Sequence, residues 1–285
     1  MGNLLWIASY PKSGNTWVRA FIENYLRNQN QPVDINTLFR IRQAEAKAFR
    51  YARYVAGGDT TSLSIEEICA LRPRVQADIA RDAKGTVFLK THNYLGEFGG
   101  YPLQNATVTS GAIYIIRNPL DVVISLANYF GYSIDEAIDY MAAEAAGTPN
   151  EKENVPQIIS SWSIHVQSWT QEPKPEILVL RFEDMLGNPM KTFRKLASFL
   201  GQPRDPKRLK KAIKFSSFDQ LRLQETRSGF AEKHENANSF FRQGRKNQWC
   251  NKLTDQQVRK IIDSHGKQMA RFNYLPPGYS KGQIE

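Results

Sequence analysis

Four short apolar runs limit what this chain can become: Leu4–Ser9, Thr86–Leu89, Ala112–Ile116 and Ile177–Leu180. None is long enough for a buried helix, and each ends where Pro, Gly, Asn or charge resumes, as a buried strand does. Between them lie stretches of helical period. One places Trp17, Phe21, Ile22, Tyr25 and Leu26 on a single face, with Asn15 or Thr16 as its expected cap. A second carries Val122, Val123, Leu126 and Tyr129 behind Arg117-Asn118-Pro119. Others cover Ser64–Arg81, Asp135–Ala145, Pro156–Trp169, Phe193–Leu200 and Thr254–Phe272. Strands alternating with helices imply βαβ units and a parallel sheet covered on both faces. The expected fold is therefore α/β, three layers with a central parallel sheet. The stretches Phe39–Thr61 and Thr226–Gln243 lack clear period and are candidates for lids or acceptor-binding loops.

At 285 residues, with no repeat and no Pro/Ser-rich linker, the chain reads as a single domain over residues 1–285. No apolar run approaches the roughly 20 residues that span a bilayer. Leu4–Ile7 is too short for a signal peptide, and Trp6 stands where a myristoylation site needs Ser or Thr. An unanchored, cytoplasmic protein is the expectation. Cys69 and Cys250 are too few and too far apart for a disulfide framework or a zinc site, so both read as inert thiols and no metal is expected. The net charge of +10 is unevenly spread: residues 201–260 hold 15 Lys and Arg against 6 Asp and Glu. Such a field attracts an anion, whether nucleotide, polyanion or membrane surface, although Lys207–Lys214 also reads as a solvated helix face.

The segment Tyr10–Trp17, Tyr-Pro-Lys-Ser-Gly-Asn-Thr-Trp, joins a strand to a helix. A loop so placed presents unpaired backbone N–H groups and the positive end of the helix dipole. Gly14 allows close approach of a phosphate, Ser13 and Thr16 supply hydroxyls, and Lys12 supplies a compact cation. In a Walker loop the lysine and the magnesium-binding hydroxyl close the loop. Here Lys12 precedes Ser13-Gly14, an order that suits phosphate binding without an obligatory metal.

This loop resembles the 5′-phosphosulfate loop (Lys12, Ser13, Gly14, Asn15, Thr16) of the cytosolic-type sulfotransferases, which use 3′-phosphoadenosine 5′-phosphosulfate (PAPS) and have a P-loop-like fold. Ile113–Phe130 is similar to the family's 3′-phosphate segment, so that Arg117 and Ser125 would grip the 3′-phosphate. A strand-end ion pair with Asp121 is the alternative for Arg117. Phe88–His92, FLKTH, resembles the strand end bearing the family's catalytic base. His92 would accept the acceptor's proton and Lys90 would stabilise the transferring group, with Lys12 as a third catalytic residue. A histidine titrates close to working pH, as this role needs. His165, His234 and His265 read as structural, although the family also places a His-Val pair on the helix of His165. Phe241-Arg242-Gln243-Gly244 with Trp249 looks like the family's Arg-Lys-Gly segment. Ser216-Ser217-Phe218 resembles its adenine-contacting Thr-Ser-Phe, with Trp17 as the other stacking wall.

The resemblance runs from about Leu4 to Leu275 with the family's order of segments, and is that of a bacterial-type member. There are departures. Phe182 stands where Tyr is usual, Gln243 replaces Lys, Arg245–Gln248 replaces a Gly-Asp stretch, and the animal enzymes' dimer motif has no counterpart. The implied activity is metal-independent, in-line sulfuryl transfer from PAPS to an acceptor hydroxyl or amine, releasing PAP. Two other readings exist. A P-loop kinase would use Glu183-Asp184 at a strand end to hold magnesium. A nucleic-acid binder would use Arg242, Arg245 and Lys246 beside Phe240 and Phe241, but it leaves Lys12–Trp17 unexplained. Tyr51, Tyr54, Tyr94, Phe98, Tyr101, Phe130, Phe230 and Phe240 hint at a small-molecule acceptor that is partly apolar or aromatic. Phenols, steroids, lipids, sugars and peptide natural products all stay open, as does the oligomeric state.

Overall fold

A strand paired on both sides and covered on both faces must be apolar throughout, whereas an edge strand can alternate. The burial of the four long strands sorts them accordingly. In the computed structural model, which describes residues 2–38, 44–172, 174, 176–234 and 236–278, β1 (Asn3–Ser9) and β5 (Thr109–Ile116) are buried over most of their length. By contrast β2 (Thr86–Thr91) and β6 (Ile177–Arg181) expose part of theirs. The sheet order is β2-β1-β5-β6. The two inner strands are the two buried ones, and the sheet is parallel and flanked by helices. β1 and β2 pair in register from Asn3 with Thr86 to Ala8 with Thr91. A two-stranded hairpin, β3 (Glu97–Phe98) with β4 (Tyr101–Pro102), stands apart from this sheet. All four long strands start within a residue or a few of the expected runs.

This order has one functional consequence. From β1 the chain crosses to β2 on one side, and from β5 it proceeds to β6 on the other. The connections therefore diverge at the carboxyl ends of β1 and β5, which is where open α/β sheets bind ligands.

The chain divides into two compact units, each assembled from three stretches. The first comprises Met1–Tyr10, Arg42–Tyr114 and Tyr140–Val179, and the second Pro11–Ile41, Ile115–Asp139 and Leu180–Glu285. In the first unit, α3 (Ile65–Arg81) starts with a capping box of Ser64 and Glu67. The segment expected as a loop is pinned there. Beyond residues 39–43, which lie outside the described residues, Glu45 is fully buried and its two oxygens accept from Arg72 Nη1 at 2.6 Å each. The Tyr51 hydroxyl also bonds to Glu45, and Arg72 reaches the Pro156 carbonyl. A short helix, α2 (Phe49–Ala52), follows. The helix expected from Pro156 starts only at Trp162, as α6 (Trp162–Thr170) capped by Ser161. The six residues before it are occupied otherwise: Ile159 N and Ser160 N donate to Ala146 O and the Gln157 carbonyl accepts from Thr148 N.

In the second unit, α1 (Asn15–Arg27) buries Phe21 and Tyr25, and Phe21 stacks on Phe193 with centroids 4.2 Å apart. Phe193 belongs to α8 (Pro189–Phe199), which follows α7 (Phe182–Gly187). The basic helix α9 (Pro206–Phe215) is partly structural. Arg208 donates to Tyr25 O at 2.6 Å and Leu26 O at 3.1 Å, and Lys211 to Asn28 O at 3.0 Å. These cations satisfy the carbonyls at the end of α1, where the helix dipole is negative. Lys207, Lys210 and Lys214 face solvent. The unit also holds α4 (Pro119–Phe130), α10 (Phe218–Ser228) and α11 (Asp255–Arg271), the last opened by a Thr254–Gln257 capping box. α5 (Ile134–Ala142) stops three residues short of its expected end.

Candidate functional site

The loop after β1 is built to leave donors unused. The expected cap at Asn15 or Thr16 is not what forms. Gly14 occupies the cap position of α1 at φ 106°, no side chain caps the helix, and no acid lies in its first turn. The helices α3, α4, α9 and α11 are instead capped by Ser64, Asn118, Asp205 and Thr254. A helix start that no side chain caps is one that can receive an anion. Ser13 is fully buried, and its Oγ has no hydrogen-bond partner among the described residues. A buried hydroxyl left unpaired costs about 1–3 kcal/mol, which a ligand oxygen would recover. Gly14 is also required sterically, since a Cβ there would lie 2.9 Å from the Phe182 ring. Phe182, the departure from the family's Tyr, packs edge-on to the Trp17 ring at 5.6 Å.

The remaining loop residues are held in place. Asn15 and Thr16 are buried. Thr16 Oγ1 accepts from Arg19 Nη2 at 3.0 Å, and Arg19 is clamped by both oxygens of Glu232 at 2.7 and 2.9 Å. Lys12 adopts φ 65°. Its ammonium lies 3.9 Å from the Tyr129 ring centroid and 3.8 Å from that of Phe240, a pair of cation–π contacts.

Arg117 leaves β5 and is 6% exposed. It donates to Lys12 O at 3.0 Å and Arg245 O at 3.3 Å, and lies 4.3 Å over the Phe182 ring. The alternative ion pair with Asp121 is not formed. Asp121 accepts the backbone amides of Asn247, Gln248 and Trp249 at 2.8, 2.8 and 3.2 Å. Burial lowers the pKa of Arg117; the charges of Asp121 and Glu183 work against that, and repulsion from Arg242 adds a smaller push in the direction of burial. Burial likewise lowers Arg242, which donates to Gln248 Oε1 at 3.1 Å. The two guanidiniums act on each other, and neither is salt-bridged to a carboxylate among the described residues, although Asp121 and Glu183 partly offset the charge of Arg117. An anion bound beside them would offset the part of the burial cost that these carboxylates leave. Ser125 is half-buried two turns into α4, and Gln243 is exposed. Gly244 has φ 60°, and a Cβ there would run into the Phe218 ring, so the expected adenine and 3′-phosphate segments meet. Ser216 and Ser217 are used locally. Ser216 Oγ donates to Ala212 O at 2.9 Å, and Ser217 caps α10. Glu183, the magnesium ligand of the kinase reading, accepts from Asn118 N at 3.0 Å and from the Tyr274 hydroxyl at 2.7 Å.

In the first unit, Lys90 is half-buried near the end of β2, and His92 follows that strand. His92 Nδ1 lies 2.7 Å from the Ser9 carbonyl and 3.4 Å from the Ser9 hydroxyl. A carbonyl only accepts, so Nδ1 carries the proton and Nε2 is the basic nitrogen of the neutral ring. The His92 amide donates to Gln157 Oε1 at 3.0 Å. Sequence reasoning missed Arg19, Glu232 and Gln157, and it named Asp121 and Tyr129 without the contacts they make here.

Comparison with known proteins identifies the family. The model of the sulfotransferase domain matches residues 3–273. A flavonol 3-sulfotransferase of Flaveria bidentis is 26% identical over 91% of this chain and 79% of the relative. Sulfotransferase 2A2 of Rattus norvegicus is 32% identical over 58% of each. Among solved structures, mouse sulfotransferase SULT7A1 complexed with PAP shares the fold at TM-score 0.61 and 19% identity, over 95% of this chain and 85% of the other. Retinol dehydratase in a complex with retinol and PAP does so at TM-score 0.62 and 14% identity, over 93% and 81%. With a family model matched along nearly its whole length, the chain belongs to the sulfotransferase domain family and is an enzyme of that class.

Proposed function

We propose that the chain, acting as a single sulfotransferase domain over residues 1–285, moves a sulfuryl group from PAPS to an acceptor hydroxyl, or an amine, without a metal. The observation that carries the reading is the buried, orphaned Ser13 hydroxyl in a loop whose helix start no side chain caps, with Arg117 and Arg242 in the same unit and neither salt-bridged to a carboxylate among the described residues. Lys12, Ser13, Gly14, Asn15 and Thr16 hold the 5′ end of the donor. Arg117, Ser125, Arg242, Gln243 and Gly244 hold its 3′-phosphate. Trp17, Phe182, Ser216, Ser217 and Phe218 surround the base. The orphaned Ser13 hydroxyl and the Gly14 cradle fit such an anion.

His92 takes the acceptor proton at Nε2, the acceptor oxygen forms its bond to sulfur, and the bond from sulfur to the bridging oxygen breaks. Lys12, Lys90 and the loop amides stabilise charge on that oxygen and on the sulfuryl group. Metal independence rests on the order of residues in the loop, with Lys12 ahead of Ser13-Gly14. The acceptor we favour is a partly apolar small molecule bearing a hydroxyl, in keeping with the retinol held by retinol dehydratase. No described helix is long and apolar enough to cross a membrane, and we propose a cytoplasmic protein that does not bind nucleic acid.

Calorimetry with PAP, and turnover of labelled PAPS across an acceptor panel with EDTA present, test the reading. Uptake of PAP and EDTA-resistant turnover are expected. Absence of PAP binding, or use of ATP instead, overturns it. His92→Ala should cut turnover roughly 10²–10⁴-fold while PAP still binds.

A further inference from the structure

Helix α6 lies in the first unit, and three of its side chains engage the backbone that follows β2. His165 and Trp169 are four residues apart, hence on one face. His165 Nε2 lies 3.2 Å from the His92 carbonyl, and Trp169 Nε1 donates to the next carbonyl, Asn93 O, at 3.2 Å. Between them in sequence, Ser168 Oγ accepts from Leu95 N at 3.0 Å. Three consecutive polar contacts from one helix to one short exit segment exceed what packing alone requires.

The tautomer of His165 is determined by its partners. The His92 carbonyl can only accept, so Nε2 of His165 carries the proton. Nδ1 is then an acceptor, and the Tyr114 hydroxyl, 2.9 Å away, supplies the proton it accepts. The His165 ring is fully buried, edge-on to Tyr10 at 5.4 Å and stacked with Tyr114 at 5.7 Å. Burial keeps it neutral, with a pKa pulled down to about 3. It is therefore a fixed one-directional donor and is ill suited to exchange protons near neutrality.

From this geometry we infer that His165, oriented by Tyr114, is a positioning residue for sulfuryl transfer: it holds the His92 carbonyl so that Nδ1 of His92 stays on Ser9 O and Nε2 stays aimed as the base. The inference rests on the proposed role of His92. Four contacts then fix one residue: Gln157 on its amide, His165 on its carbonyl, and Ser9 through both its carbonyl and hydroxyl on its ring.

Two polar substitutions separate direction from bulk. A glutamine amide can place its N–H near the position of Nε2, whereas an asparagine amide is too short to reach the His92 carbonyl. His165→Asn should lower kcat with PAPS roughly 10- to 100-fold, the scale on which a displacement of about 1 Å acts, with the KM for PAPS within about twofold of the parent. His165→Gln should recover most of that loss. Nitrogen NMR of the His92 ring supplies a readout independent of turnover: the Nδ1–H tautomer should dominate in the parent and in His165→Gln, and become mixed in His165→Asn. Tyr114→Phe, which removes only a hydroxyl, should shift the tautomer in the same direction by less.

The inference is overturned if His165→Asn keeps the parent kcat while His92→Ala loses it. It is also overturned if the Asn and Gln variants are equally slow with an unchanged His92 tautomer. Should His165→Asn fail to fold, Tyr114→Phe with parent kcat and parent tautomer overturns it as well. If His92→Ala itself retains turnover, the base assignment fails, and the NMR comparison still decides whether His165 orients that ring.

Discussion

Two buried arginines show how the same side chain serves two ends. Arg72, in the first unit, is fully buried against both oxygens of Glu45, with the Tyr51 hydroxyl at 3.2 Å and the Pro156 carbonyl beside it. The carboxylate holds its pKa above the ordinary arginine value despite burial. Arg117, in the second unit, is nearly as buried but its direct partners among the described residues are two carbonyls and an aromatic face, and its pKa is lowered by burial despite the charges of Asp121 and Glu183. The first cation is complete within the protein. The second has no salt-bridged carboxylate among the described residues, and the charges of Asp121 and Glu183 offset its burial only in part. Burial of a charge is thus a stability device where its counterion is internal, and a binding device where the counterion must come from outside.

The largest effect expected from this contrast is on stability. Arg72→Met leaves Glu45 buried and unpaired and should cost roughly 3–5 kcal/mol in a denaturant titration. Arg117→Met should cost less, because Asp121 and Glu183 keep their own hydrogen-bond partners when the guanidinium is removed. Equal losses for the two would break the comparison. The next effect is on affinity. Arg117→Met should weaken PAP binding by about 1.5–3 kcal/mol, roughly 10- to 150-fold, by calorimetry. Arg72→Met should leave the affinity of the folded fraction unchanged.

The smallest effect sharpens the contrast with a buried group that stays neutral. The folded-state pKa of His165 is about 3, below the ordinary 6.5. Below pH 6.5 the unfolded chain therefore takes up a proton that the folded chain refuses, and stability falls as pH drops from about 6.5 towards 3. The slope is roughly 1.4 kcal/mol per pH unit. Between pH 7 and pH 5, His165→Gln should lose roughly 1–2 kcal/mol less than the parent. His265, also buried and lowered to about 4, is common to both proteins and cancels. Identical pH profiles for the two would remove His165 from the acid response.

Much of this architecture is legible in the residues. Apolar runs with no polar face mark the strands, and Ser64 with Glu67 and Thr254 with Gln257 mark two helix starts, because these signals act within a few residues. The cap of α1 was misread because Asn15 and Thr16 are good caps in isolation. Gly14 holds the position instead through its positive φ and the Phe182 ring against it, 168 residues further along the sequence. The Pro156 helix was misread for a related reason. Its start is taken by pairing with Ala146 and Thr148, and helical period cannot reveal a competing partner from another segment.

By itself the sequence determined that this chain would form a parallel α/β sheet with an anion-seeking loop after its first strand, because strand patterning and loop chemistry are local. It also supplied the chemical identities of Lys12, His92 and Arg117. Only the tertiary structure decided which polar groups are already satisfied. It gave Asp121 to three backbone amides rather than to Arg117, and Arg19 to Glu232, 213 residues away. It set His165 as a neutral donor behind His92. Whether a buried group is complete or still wants a partner depends on neighbours brought in from afar, and no local pattern encodes that.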